Sequence, residues 1–302
     1  MMHNSVRPER EDSGAPSQFA ARLANPVPAG QAAFFSFGGL TVAHIRRKFY
    51  QQQHQRINAT TMKASTEDQV PFAASHVEPE QDVPAYMLDV YDWAYVNPKW
   101  VRWLDHSLIV RILLFFNDQR MKRMYVQRIR PGMKVWQVAH VYGDLVRLAA
   151  IACGSEGAYY LTDITPIQIE HATRKLHDLP QAHIQHVDAA TFQTPQPCDL
   201  ICSFFLLHEV PDNWKHKIVN NMLSQMPEHG EALFVDYHRP AAWQPVGYIL
   251  RLVNRFLEPF SNALWNRPIS YYADHADDFI WEKRTIFGGV YQIVSVRRKT
   301  AR

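Results

Sequence analysis

What this sequence has little of narrows the possibilities first. No apolar run approaches the roughly 20 residues that a membrane-spanning helix needs; LIVRILLFF at 108–116 is too short. Cysteine is scarce: Cys153, Cys198 and Cys202 are the only three, and no pair has C-x-x-C spacing. All three fall in segments that read as core, which fits buried, reduced thiols in a cytoplasmic protein. Net charge is only +3 over 302 residues, so no general grip on nucleic acid is implied. What is present is core material. Hydrophobic residues make up 47% and charged residues 20%, which suits one large globular domain or two small ones.

Residues 1–81 differ from the rest, being rich in Gln, Ala, Pro and Ser with acids and bases nearly balanced. Ala32–Leu40 is their one apolar stretch, interrupted by Gly38 and Gly39. Acids at 9, 11 and 12 and the lack of a clean apolar centre argue against a signal peptide. Two readings stand: a disordered extension, or a chain whose true start is Met62. Order is expected from about Asp82. The stretch 82–103 carries five Tyr or Trp between 86 and 100, bracketed by Pro84 and Pro98, and predicts a short helix packed on a core. Residues 82–130 are therefore expected to form a helical cap. Between Asn97 and Arg130 there are eight basic and two acidic residues. That cluster is either a solvated face or, with its apolar neighbours, a dock for an anionic membrane surface.

From residue 131 the pattern alternates between strands and helices. KVWQVAHVYGDLVRLAAIACGSEGAYYLTDITPIQ (134–168) opens on an apolar run, Val135–Val138, read as a buried parallel strand. A turn with a single glycine, Gly143, leads into a helical run from Leu145. A second strand, Tyr159–Thr162, ends on Asp163, twenty positions after Gly143. In nucleotide-binding βαβ units an acid near that place takes the ribose hydroxyls. Pro166–Leu179 predicts a helix, His183–Val187 a strand ending at Asp188, Asp199–Phe205 a central strand, Lys215–Met226 a helix and Glu231–Val235 a fifth strand. Phe279–Phe287 and Tyr291–Arg297 read as a hairpin turning at Gly288–Gly289.

In open α/β sheets ligands gather outside the carboxyl ends of the strands. Gly143, Asp163, Asp188, His208–Glu209 and Asp236–His238 are thus expected around one crevice. Its ionisable groups are Asp144, His208, Glu209, Asp236, Tyr237 and His238. Imidazole and carboxylate bind divalent transition ions and serve equally as general acids and bases; the spacing does not choose. In VGYILRLVNRFLEPF (246–260), Arg251, Asn254, Arg255 and Glu258 form one narrow polar stripe. That helix is either sandwiched in protein or presents an apolar flank as a lid for a greasy ligand.

DITP at 163–166, together with the terminal hairpin, resembles the class I S-adenosylmethionine (SAM) methyltransferases. The resemblance implies an α/β, Rossmann-like fold over 131–302, with a mainly parallel seven-stranded sheet and a terminal antiparallel hairpin. Here a helical N-terminal extension and a helical insertion before strand six would be added. It places cofactor contacts at Gln137, Ala139, Tyr142, Gly143, Asp144, Asp163, Ile164, Asp188, Ala189 and Phe204. The turn departs from that family's acid followed by x-G-x-G-x-G. Gln137 stands in place of the acid, and Ala139 and Val141 stand at two glycine places.

VPAYMLDVYDWAYVNPKWVRW, VAHVYGD, DITPIQ, FFLLHEVP, FVDYHRP and LEPF, in that order from about Val83, resemble the RquA family of rhodoquinone-biosynthesis proteins more closely. That resemblance implies conversion of ubiquinone to rhodoquinone. A ring methoxy group is replaced by an amino group from SAM, with manganese(II), at the cytoplasmic face of the inner membrane. His208, Glu209, Asp236, Tyr237 and His238 are then the catalytic candidates, and His208, Glu209, Asp236 and His238 the metal candidates. The neutral Gln137 suits such chemistry, because an attacking amine must be deprotonated and a nearby carboxylate favours the ammonium form. A SAM-dependent methyltransferase acting on a quinone or other lipid, and a non-catalytic partner protein, are the alternatives.

Overall fold

A computed structural model describes residues 104–256 and 260–299, together with Ser36–Phe37 and Leu40–Thr41. The expected disordered extension over 1–81 and the aromatic stretch 82–103 lie outside the described residues, apart from those two dipeptides, which pair antiparallel.

The sheet has seven strands. They are β1 Lys134–Gln137, β2 Ala158–Asp163, β3 Ala182–His186, β4 Leu200–Phe204, β5 Glu231–Tyr237, β6 Phe279–Ile286 and β7 Tyr291–Arg298, in the spatial order β3-β2-β1-β4-β5-β7-β6. β1 to β5 run parallel, and β7 lies antiparallel to both β5 and β6. This is the Rossmann-like class I methyltransferase fold. β4 is buried along its whole length, as its unbroken apolar sequence requires of a central parallel strand. Edge strand β6 alternates little and leaves Glu282, Lys283 and Arg284 in or near solvent. The turn between β6 and β7 puts Gly288 and Gly289 at φ +61° and +85°, where L side chains are strained.

The pleat divides the core between the two faces. Val135, Leu161, Leu200 and Cys202 point to one face, while Trp136, Tyr160 and Ile201 point to the other. The first face is covered by α2 Asp118–Val126, through Met121 and Tyr125, and by α3 Leu145–Cys153, through Leu145, Val146, Ala149 and Ala150. α4 Pro166–Leu176 joins them through Ala172 and Leu176. Pro166 sits in the first turn, where its missing N–H has no helical partner to lose. The second face is covered by α5 Asp212–Ser224 and by α7 Ser261–Asn266 with Ile269 and Tyr272 after it. Each fully buried large side chain contributes about 1.5–3 kcal/mol.

Two helices stand apart. α1 Ser107–Leu113 buries no residue. α6 Val246–Phe256, the expected insertion, buries Leu250 and leaves Tyr248, Ile249 and Leu252 exposed. The polar stripe is divided: Arg251 is exposed, whereas Asn254 is buried, with Nδ2 3.2 Å from Asn262 Oδ1. Among the described residues no helix is long and apolar enough to cross a membrane.

The three thiols are buried, as expected. Burial pushes Cys153 and Cys198 up to about 12 and raises Cys202 as well. Since the thiolate is the nucleophile, iodoacetamide at pH 8 is expected to leave the native protein unmodified and to alkylate all three in denaturant. Intact-protein mass spectrometry reads the outcome.

Candidate active site

β1 ends on Gln137, which is fully buried. Its Nε2 donates to the Ala139 carbonyl at 3.0 Å, while Oε1 is buried without a hydrogen-bond partner. Beyond it the glycine-poor turn is held by side chains. Gly143, at φ +84°, donates its N–H to Asp105 Oδ1 (2.9 Å) and accepts Lys175 Nζ at its carbonyl (2.8 Å). Asp105 and Lys175 pair directly at 2.5 Å. Lys175 also meets His140 Nε2 at 3.2 Å, and His140 Nδ1 meets Gln168 Oε1 at 2.7 Å. An ammonium can only donate. Nε2 of His140 is therefore the acceptor, and Nδ1 carries the proton to Gln168. Burial first, and then Lys175, hold His140 well below the usual histidine range, in keeping with that neutral tautomer. Gln168 Nε2 in turn donates to Tyr142 Oη at 2.8 Å. Burial raises the Tyr142 phenol, with the Glu209, Asp105 and Asp163 carboxylates adding to it, so it remains protonated. Asp144 faces away from this chain and pairs with Lys122 of α2 at 2.6 Å.

Asp163 closes β2 against the turn. Its Oδ2 accepts the His140 N–H at 3.0 Å, and Oδ1 accepts the N–H and hydroxyl of Thr165 at 2.9 and 2.7 Å. The Ile164 carbonyl meets His186 Nε2 at 2.9 Å. After β3, Asp188 Oδ1 accepts the Ala190 N–H at 2.8 Å, and the Ala189 carbonyl accepts Asn221 Nδ2 at 2.8 Å. Phe204 points into the core, its ring 6.2 Å from that of Tyr125. Its neighbour Phe205 faces the site instead.

The second cluster forms where β4 and β5 end. Asp236, 1% exposed, accepts the Leu207 N–H at Oδ2 (2.9 Å) and the Tyr237 N–H at Oδ1 (2.7 Å). His208 Nδ1 lies 2.9 Å from the same Oδ1. With backbone donors already aimed at the carboxylate, Nδ1 of His208 is the protonated nitrogen and Nε2 is left as the basic one. That Nε2 is 3.7 Å from Glu209 Oε1. Tyr237 meets the imidazole edge to face, with centroids 4.8 Å apart. Phe205, at φ +55°, wedges its ring between His208, Tyr237 and Tyr291 at 5.9, 5.1 and 5.7 Å. A left-handed phenylalanine costs about 1–2 kcal/mol, and such strain gathers at functional sites. A histidine oriented by a buried carboxylate is equipped to take a proton.

Two sequence expectations are corrected here. His238 does not join the cluster. It lies on the β6–β7 hairpin, with Nδ1 3.0 Å from the Gly289 carbonyl and Nε2 2.9 Å from Lys283 Nζ. Burial, and Lys283 after it, lower its imidazole. The four expected manganese ligands therefore do not converge. Among the described residues no group of three or more His, Cys, Asp or Glu side chains is placed to hold a metal ion. His208 and Asp236 spend their facing atoms on each other, so this donor set does not fit manganese(II). Residues that sequence reasoning missed are Asp105, His140, Gln168, Lys175 and Phe205. Only His140, inside the turn, carried any local signal, since Asp105 and Lys175 are 70 positions apart.

Comparison with known proteins gives partial matches. No family model matches the chain. It is 27% identical over 141 residues to the ubiquinone/menaquinone biosynthesis C-methyltransferase UbiE of Idiomarina loihiensis, covering 44% of this chain and 55% of that protein. It is 29% identical over 139 residues to UbiE of Shewanella sediminis, with the same coverage. The chain thus spans about half the length of the curated relatives it matches. Among solved structures, a possible exported protein from Bordetella parapertussis superposes with a TM-score of 0.53 at 19% identity, covering 69% of this chain and 81% of that one. That likeness concerns the fold alone.

Proposed function

We propose that this chain is a SAM-dependent enzyme acting on a polyprenyl quinone, and that it replaces a ring methoxy group of ubiquinone with the amino group of SAM, giving rhodoquinone. The observation that carries the reading is Gln137. It ends β1 where the acid of class I methyltransferases stands, and its buried Oε1 lacks a partner that a bound amine would supply. A neutral acceptor holds an amine without fixing it as ammonium. The residues of the turn fit such a ligand. Gly143 opens the backbone, and Tyr142, held by Gln168 at 2.8 Å, lines the turn. His208 Nε2, oriented by Asp236, takes the proton that the attacking nitrogen loses and returns it to the methoxy oxygen, which leaves as methanol. The α-carbon of SAM then loses its proton and gives two electrons to the ring, and water cleaves its bond to the nitrogen, releasing the amino-hydroquinone form of rhodoquinone and an α-keto acid. The Phe205, Tyr237 and Tyr291 rings offer a quinone flat apolar surfaces.

The similarity to UbiE favours a second reading, carbon methylation of a quinone, for which His208 would remove the ring proton. One experiment separates the two. The purified protein is incubated with ubiquinone, and in parallel with a reduced quinone that keeps one ring C–H, each with SAM carrying nitrogen-15 on its amino group and carbon-13 on its methyl. Nitrogen-15 in the quinone supports amination, and carbon-13 supports methylation. A quinone with neither label in a folded, SAM-binding protein overturns both.

Gln137→Glu adds a finer expectation. It should hold SAM at least as tightly by calorimetry, while amination slows by roughly tenfold near pH 7 and recovers as pH rises, because a carboxylate raises the amine's pKa by about one unit or more. A slowing that does not ease with pH would remove the ammonium argument.

A further inference from the structure

α1 and its following loop leave Leu108, Ile112 and Phe116 at least half exposed. α6 does the same with Tyr248 and Ile249, and Trp243 just before it is 74% exposed. These segments are far apart in sequence and meet at one place. The Phe115 ring stacks on Phe287 at 6.1 Å. Gln244 Nε2 donates to the Phe287 carbonyl at 3.0 Å, and Trp243 lies over the adjoining Gly288, where an added Cβ would come within 2.9 Å of its ring. The charge on this face has one sign. Arg111 sits over the Phe116 ring at 5.5 Å, and Arg251 over Tyr248 at 5.1 Å. Arg239 is exposed nearby, and no Asp or Glu occurs from 238 to 256. Apolar side chains in solvent, aromatic rings and arginines together are what an anionic lipid interface accommodates, with rings at headgroup depth and guanidinium groups on phosphate.

We propose that α1 with its following loop and the outer side of α6 form one face that docks on an anionic lipid surface. A run of rings leads inward from it. Phe115 stacks on Phe287, Phe287 on Tyr291 at 6.1 Å, Tyr291 meets Tyr237 at 5.6 Å, and Tyr237 meets His208 at 4.8 Å. The docking face is thereby the outer end of an aromatic column whose inner end is His208. A ligand with a greasy tail would reach His208 without leaving lipid; this last point rests on the quinone reading, whereas the docking does not.

The test is co-sedimentation of the full chain with phosphatidylcholine vesicles, with and without phosphatidylglycerol, read without turnover. Binding is expected to the anionic vesicles, to weaken with salt, and to fall at least tenfold in Ile249→Asp/Leu252→Asp and in Arg111→Glu/Arg251→Glu. These positions are exposed, so folding should survive. Hydrogen exchange of the unaltered chain supplies a second reading, with 107–116 and 246–256 slowed by anionic vesicles. A full chain that stays in the supernatant overturns the proposal. So does undiminished binding by both variants, which would place the contact elsewhere, for instance in 82–103. Equal binding to neutral vesicles would overturn its anionic part.

Discussion

Asp236→Asn is expected to leave the fold standing and to lower turnover by about 10²–10⁴-fold, the contribution of a positioned base. With the amide oxygen at the Oδ2 place it still accepts the Leu207 N–H (2.9 Å), while the amide nitrogen at the Oδ1 place gives up the Tyr237 N–H (2.7 Å), at a cost of about 1–3 kcal/mol. Its NH₂ would then face His208 Nδ1, now 2.9 Å from Oδ1. An amide nitrogen donates, so Nδ1 must become the acceptor and the proton moves to Nε2. The imidazole stays in place in the wrong tautomer, and the nitrogen meant to take a proton already has one. Asp236→Ala should lose comparable turnover and also stability, by about 1–3 kcal/mol for each buried donor left unpaired. The labelled-quinone assay with a thermal melt separates the two effects. Turnover within threefold of the unaltered chain in a folded Asp236→Asn would show that His208 is not the base.

The largest loss of stability is expected from Lys215. Its side chain is fully buried, with Nζ donating to the carbonyls of Val210 (2.7 Å) and Phe260 (3.2 Å) and to Asp212 (3.0 Å). It ties Phe260, directly before α7, to the start of α5, whose Asp212 also holds Arg267 at 3.0 Å. Lys215→Ala strands the Val210 carbonyl, leaves the Phe260 carbonyl its contact with the Ala263 N–H at 3.4 Å, and opens a cavity, and should cost about 3–5 kcal/mol. Lys215→Met keeps the stem's packing and strands the same Val210 carbonyl, so it should cost less than Lys215→Ala. Denaturant melts read both. Burial lowers the lysine's pKa, Asp212 opposing. Between its folded pKa and the unfolded value near 10.5 the unfolded chain binds more protons, and the lysine's contribution to stability rises with pH. The advantage of the unaltered chain over Lys215→Met should therefore grow through that window. A melt of Lys215→Ala within 1 °C of the unaltered chain would show that the tether is idle.

The strands were legible in the sequence because central parallel strands are unbroken apolar runs. Leu200–Phe204, buried throughout, reads that way in plain text. The meeting of His208 with Asp236 followed from the sheet, since adjacent parallel strands must end side by side. The rest depends on contacts that no local pattern records. His238 is two residues from Asp236, but its N–H bonds the Val290 carbonyl at 2.8 Å and its ring follows the hairpin. Phe204 and Phe205 are chemically alike, and only the left-handed backbone of Phe205 decides which one turns to the site. The narrow polar stripe on α6 left open whether the helix is sandwiched or a lid, and only Asn262, eight residues beyond Asn254, shows that side chain turned inward. The Asp105–Lys175 pair spans 70 positions and joins a segment that reads as basic to a helix that reads as ordinary.

That pair has a consequence for entropy. A glycine-rich loop is free until a ligand arrives, and binding must then remove roughly 1–2 kcal/mol of backbone freedom per residue ordered. In this turn Ala139 and Val141 narrow the choices, and Gly143 has both of its peptide groups fixed, the N–H by Asp105 and the carbonyl by Lys175. The ordering is completed when the chain folds, so an incoming molecule meets a preformed wall and keeps more of its contact energy as affinity. The same stiffness leaves little room for adaptation. A ligand of another shape must break an ion pair before the turn can follow it, and the choice of ligand is made by the brace as much as by the groups that touch it.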